Sequence, residues 1–433
     1  MKSQITYNRV LKIALPMVIS NATVPILGAV DTGVIGQLGD QIILAAVGIG
    51  AVIISTIYWV FGFLRMSTTG LVAQANGAGD LSAVFAFLIR GVLIGFLAGL
   101  LIILFQVPLF WIAFKLFQAM SEVESNAETY LNIRIWAAPL SIANFAVLGW
   151  LIALERTLYV LCLQIFVNLL NIALNLIFVL NLGWGIEGVA LASVVCETVN
   201  TFLALSIALT LYKKNGSPRI QNLFSIIEWK HLFFTNINIL VRSILLEIVI
   251  ISYVFFGSTM GTIILATNHI LLQFVQIASY ALDGFAFSAE ALVGSAFGQK
   301  SQPKIRIASI RSTACASICA IAISLIFFFS GEWLFYIMVR DELIQKTANQ
   351  YLFWMAITPV TGVLSFMLDG IFIGATKTRY MRKAMLQSFF VYLFSILIFF
   401  KLFENYGLWI CINIFFIARA VFLLRYYKEV EKF

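Results

Sequence analysis

The chain has 433 residues, 61% of them hydrophobic and only 11% charged, with a mean hydropathy of +0.99. That composition excludes a soluble domain and points to a bilayer. The net charge of +8 is spread over short loops rather than gathered in one patch, so no nucleic-acid partner is expected.

Apolar runs long enough to cross about 30 Å of hydrocarbon, as about 20 helical residues each, recur from residue 10 to the C-terminus. They predict twelve transmembrane helices at 10–36, 42–72, 84–111, 125–148, 157–181, 187–212, 231–257, 262–296, 306–330, 345–370, 380–402 and 406–427. Stretches such as LLNIALNLIFVL lack the alternation of a barrel strand, so the fold class is all-α. Lys2, Arg9 and Lys12 precede helix 1, Lys213, Lys214, Arg219 and Lys230 separate helices 6 and 7, and Lys377, Arg379, Arg382 and Lys383 follow helix 10. The connections after helices 1, 5 and 7 carry no Lys or Arg. The positive-inside rule then places both termini and the even-numbered loops of a multi-pass membrane protein in the cytoplasm. The first apolar run is too long for a signal-peptide core and is read as a retained membrane helix.

Helix 1 carries Pro16 and Pro25, each removing a backbone hydrogen bond, and Asp31 near its outer end. The prolines are candidate hinges. Asp31 lies 19 residues beyond Lys12, about 28 Å along at 1.5 Å per residue. Helix 3 has Gly91, Gly95 and Gly99 at four-residue spacing, a small-residue face for close packing. On helix 5, Asn171 and Asn175 stand about 22 to 28 Å from Arg156 on one helical face, and Ser193 on helix 6 lies about 9 Å below the outer surface. These four side chains share one depth and offer a carboxylate, two amides and a hydroxyl. Such a set could hold Na⁺ or hydrogen-bond a carboxyl that takes and releases a proton. The alternative for the two asparagines and the serine is plain interhelical hydrogen bonding.

Glu197, one turn beyond Ser193, either neighbours that set or pairs with a basic group. Arg242 and Glu247 on helix 7 are read either as an intramembrane charge pairing or, for Glu247, as a contact to a cationic substrate. Asp283 and Glu290 near the inner end of helix 8 are expected to reach water. The five cysteines fall within predicted helices and are read as packing residues, with no disulfide framework and no metal-spaced His/Cys set. No GxxxxGK[ST] phosphate loop occurs, so no nucleotide cofactor is implied and energy must come from an ion gradient.

The chain also repeats itself. LVAQANG at 71–77 recurs as LVGSAFG at 292–298, Ile43-Leu44-Ala45 as Ile264-Leu265-Ala266, and Gly149, Thr157 and Tyr159 as Gly370, Thr378 and Tyr380, all at an offset of 221 residues. This divides the chain into an N-terminal lobe (1–212, helices 1–6), a cytoplasmic linker (213–230) and a C-terminal lobe (231–433, helices 7–12). A six-helix unit that starts and ends on one side repeats in parallel about an axis along the membrane normal. Two lobes suit alternating access, hence a transporter rather than an enzyme. The repeat carries Asp31 to Ser252, Asn171 to Tyr392 and Asn175 to Ile396, so the coupling set belongs to the first lobe alone.

In VDTGVIGQLG, GLVAQANGAGD, NIALNLIFV, GIEGVALASVVCE and GSAFGQ the chain resembles the multidrug and toxic compound extrusion (MATE) family, within it the DinF-like branch. The resemblance implies two lobes forming a V-shaped cleft. It also implies export of amphipathic, cationic drugs or toxic organic compounds in exchange for H⁺ or Na⁺, by a monomer in the lipid of a bacterial inner membrane. Asp31 matches the branch's helix 1 acid, Asn171 its helix 5 asparagine, and Ser193 a position usually Thr. Asn175 stands where the branch commonly has Asp, which weakens a Na⁺ site and favours H⁺ with the burden on Asp31. An exporter or flippase of a lipid-linked or amphipathic metabolite is the alternative within transport; a membrane-embedded enzyme is the alternative outside it.

Overall fold

The computed structural model describes residues 4–23, 33–37, 40–117, 120–220 and 223–433. Among these residues the chain is helical throughout, and ten helical segments are long and apolar enough to cross a membrane. Of the residues read as helix 1, those described are α1, Tyr7–Ala22, which runs through Pro16, Thr23, and a helical turn at 33–36. It is followed by α2 (Gln41–Ala78), α3 (Leu81–Leu104), α4 (Ser121–Ala153), α5 (Thr157–Asn181) and α6 (Gly185–Lys214). The second half comprises α7 (Ile226–Ser258), α8 (Thr262–Gly298), α9 (Gln302–Met338) and α10 (Glu342–Gly374). The last segment, Thr378–Arg425, is broken at Glu404, where φ is 49° and ψ −122°. It therefore contains α11 (378–403) and α12 (405–425), at the gap predicted between helices 11 and 12.

Aspartates start several of these helices. Asp40 accepts hydrogen bonds from the backbone N–H groups of Ile42 (2.8 Å) and Ile43 (3.2 Å), Asp80 from that of Ala83 (2.9 Å), and Asp341 from those of Leu343 (2.8 Å) and Ile344 (3.2 Å). Each satisfies donors that the first turn cannot pair internally.

Two compact units result. One is Ile19–Trp229, here the N-terminal unit; the other, the C-terminal unit, joins the residues up to Val18 to Lys230–Phe433. This differs from the expected division at two places: the base of helix 1 groups with the C-terminal unit, and the linker with the N-terminal one. Within the C-terminal unit the backbone of α1 comes so close that a Cβ at Gly284 on α8 would lie 2.8 Å from the nitrogen of Val18.

The repeat is visible as matching backbone contacts. A Cβ at Gly149 on α4 would collide with the carbonyl oxygen of Arg65 on α2, and one at Gly370 on α10 with that of Ala286 on α8. Each residue of the second pair is its counterpart plus 221. Left-handed backbone also recurs at that offset, at Gly79 (φ 83°) and Lys300 (φ 51°), and at Glu155 (φ 59°) and Thr376 (φ 54°). The predicted small-residue face of helix 3 packs on α4: Cβ atoms at Gly91, Gly95 and Gly99 would meet Ala146, Ala143 and Pro139. Its counterparts on α9 are Ser312, Ala316 and Ala320, all fully buried.

Candidate ion-coupling site

Three of the four predicted coupling residues come together inside the N-terminal unit. Asn171 and Asn175, one turn apart on α5, are 2% and 0% exposed, and Ser193 on α6 is 7% exposed. The Asn175 Nδ2 donates to Asn171 Oδ1 at 2.8 Å, and Asn171 Nδ2 donates to the Ser193 hydroxyl at 3.5 Å. The fourth, Asp31, and the hinge candidate Pro25 lie outside the described residues.

The polar face of α5 extends further than predicted. Gln164 Nε2 donates to Asn168 Oδ1 (2.9 Å), and Asn168 Nδ2 donates to the Thr23 carbonyl (3.4 Å) at the end of α1. Positions 164, 168, 171 and 175 are spaced i, i+4, i+7, i+11, so four amides form one stripe along α5. The spacing was readable in the sequence. Directly after Asn175 the helix widens into a π-turn over Leu176–Asn181, a distortion that recurs at functional positions in helices.

Glu197 does not join this set. Its carboxylate accepts from Arg134 Nη2 at 2.7 Å and from the Ser141 hydroxyl, both on α4. The Arg134 carbonyl accepts from the Tyr58 hydroxyl (3.2 Å), tying α2 to the same knot. Arg134 is buried at 8% exposure and Glu197 is partly exposed, so it is loss of the acid, leaving a buried cation unpaired, that would be costly.

In the C-terminal unit Arg242 pairs with Asp369 on α10 rather than with Glu247. Arg419 on α12 meets the same carboxylate, Nη2 to Oδ2 at 2.5 Å. No ion pair of Glu247 is found among the described residues. Arg419 also packs against the rings of Phe366, Phe415 and Phe416, 5.5 to 5.9 Å from their centroids. Glu290, expected to reach water, is 1% exposed. Among the described residues no group of three or more His, Cys, Asp or Glu side chains could hold a metal ion.

The matched relatives agree with this architecture. The MatE family model matches residues 16–177 and 239–399, once in each half. The chain is 34% identical over 420 residues to the DNA damage-inducible protein F of Escherichia coli (strain K12), covering 96% of this chain and 91% of that protein. It is 26% identical over 316 residues to a probable multidrug resistance protein NorM of Synechocystis, covering 71% and 67%. Among solved structures it is similar in fold to an outward-facing MATE family transporter of the MOP superfamily, with a TM-score of 0.88, 18% identity and coverage of 98% of this chain and 96% of that one. The bent form of the Vibrio cholerae MATE transporter VcmN is similar with a TM-score of 0.87, 18% identity and coverage of 98% and 97%. The chain thus belongs to the multidrug and toxic compound extrusion family of multi-pass membrane transporters, on its DinF-like branch.

Proposed function

We propose that this protein is an antiporter that exports amphipathic organic cations in exchange for H⁺, with Asp31 as the group that is protonated and released. The observation that carries the reading is the amide stripe on α5. Its Asn168 reaches the backbone at Thr23, which precedes Asp31 by eight residues in the chain. The matched Synechocystis protein is described as a probable multidrug resistance protein, which supports the substrate class. Proton rather than Na⁺ coupling is favoured by Asn175, a neutral amide that brings no negative charge to the set. Pro16 and Pro25 are the points at which helix 1 would bend between states. The Lys- and Arg-rich loops support an inner-membrane protein with both termini in the cytoplasm. Small amphipathic molecules and membrane lipid are its partners on this reading, and the working unit is a monomer.

The test is exchange in proteoliposomes of the full-length protein loaded with a fluorescent organic cation. An imposed pH difference should drive release in the wild type, an equal Na⁺ difference should not, and Asp31→Asn should abolish the pH-driven flux. Normal flux through the Asp31→Asn protein, or Na⁺-driven flux equal to the pH-driven one, overturns the mechanism.

A further inference from the structure

Arg90 on α3 and Arg311 on α9 are related by the 221-residue repeat, and each holds a segment belonging to the other repeat. Arg90 is 2% exposed. Its Nε donates to the Leu223 carbonyl at 3.0 Å, its Nη1 lies 3.8 Å from the Glu228 carboxylate, and its guanidinium sits 5.2 Å from the Phe87 ring centroid. Leu223 and Glu228 form the lead-in to helix 7, the first helix of the second repeat. Arg311 Nη1 donates to the carbonyl of Ile5, and its guanidinium lies 5.2 Å from the Tyr7 ring centroid. Ile5 and Tyr7 form the lead-in to helix 1, the first helix of the first repeat. Tyr7 and Glu228 are themselves separated by 221 residues, so the same position of each lead-in meets the same arginine of the opposite repeat.

We propose that Arg90 and Arg311 are a matched pair of positioning residues. Each clasps the base of the opposite repeat's first helix, so that helices 1 and 7 are anchored in exchange. The division of the chain follows from this: helix 1 leaves the C-terminal unit at Val18, and helix 7 leaves the N-terminal unit at Trp229. The boundary between the two units thus falls within α1, between Val18 and Ile19. On the proposed reading, the Arg311 clasp anchors the base of the segment whose later residues include Asp31. The anchoring stands without the proton-antiport reading; its effect on coupling rests on that reading.

Hydrogen–deuterium exchange of the full-length protein in lipid nanodiscs separates the two clasps. Arg311→Ala should speed amide exchange in residues 5–15 about tenfold, as expected for loss of one charge-assisted hydrogen bond, while leaving 220–230 unchanged. Arg90→Ala should do the reverse. Tyr7→Ala and Glu228→Gln alter partly exposed side chains, and each should loosen only its own lead-in by about threefold. Unchanged exchange in the clasped segment, or both segments loosening together in either variant, overturns the proposal. In transport, Arg311→Ala should leak protons and export fewer cations per proton admitted, with an unchanged KM for the export that remains, and Arg311→Lys should restore part of the coupling. Fully coupled exchange despite a loosened lead-in overturns the coupling role while leaving the clasp intact.

Discussion

Replacing Asp369 by Asn is expected to destabilise the C-terminal unit by about 3–5 kcal/mol, the usual cost of removing one partner from a buried ion pair. Asp369 is 6% exposed and lies between two arginines that are 7% and 1% exposed. Its carboxylate accepts from Arg242 on α7 and Arg419 on α12, so one neutralised oxygen pair leaves two guanidinium groups facing each other. Asp283 on α8 also acts electrostatically on Arg419, but one acid cannot balance both cations. The residual repulsion should drive α7 and α12 away from α10. The measurement is the thermal unfolding midpoint in detergent for Asp369→Asn, set against a triple replacement of Arg242, Asp369 and Arg419 by Met, Leu and Met. The triple variant should recover most of the loss, because well-packed apolar groups of similar volume commonly equal a buried ion cluster. A midpoint that Asp369→Asn leaves in place would show that the three charges do not hold these helices together.

The second large effect is expected at the paired glycines. Gly149→Val and Gly370→Val each push a side chain into a helix backbone, at the Arg65 and Ala286 carbonyls respectively. A backbone cannot rotate away as a side chain can, so each cost should reach the upper end of the ~1–3 kcal/mol typical of overpacking, or exceed it. Because the two contacts are repeat equivalents in separate units, the losses should be similar in size and add in the double variant. Limited proteolysis during heating reads each unit separately. Gly149→Val should open the N-terminal unit first and Gly370→Val the C-terminal one. Opening of the same unit in both variants would contradict the assignment.

The helices were legible because the bilayer demands long apolar runs and the runs are there. Asn171, Asn175 and Ser193 were legible for a similar reason: depth can be counted along a helix, and polar groups at one depth on neighbouring helices tend to meet. What stayed hidden was pairing. Arg134 gives no signal of its own because it sits where the polar stretch SEVESNAE gives way to IWAAPL, and its partner Glu197 is 63 residues further on. Asp369 meets Arg242 across 127 residues and Arg419 across 50. No spacing rule links such positions, since only the packing of α7, α10 and α12 brings them together. The exchange of lead-ins was hidden for a related reason. The repeat says that helices 1 and 7 are equivalent, but not which half each one's base packs against.

The amide at Asn175 has a consequence for energetics. On the proposed reading Asp31 is the one ionisable member of the coupling set, because Asn171, Asn175 and Ser193 are neutral and Glu197 is engaged by Arg134. One such group carries one proton per cycle. Trading one proton for one monovalent organic cation moves no net charge across the bilayer. On the proposed reading the membrane voltage then does no work on the exchange, and the pH difference alone supplies the energy for holding the toxin at a higher concentration outside the cell than inside.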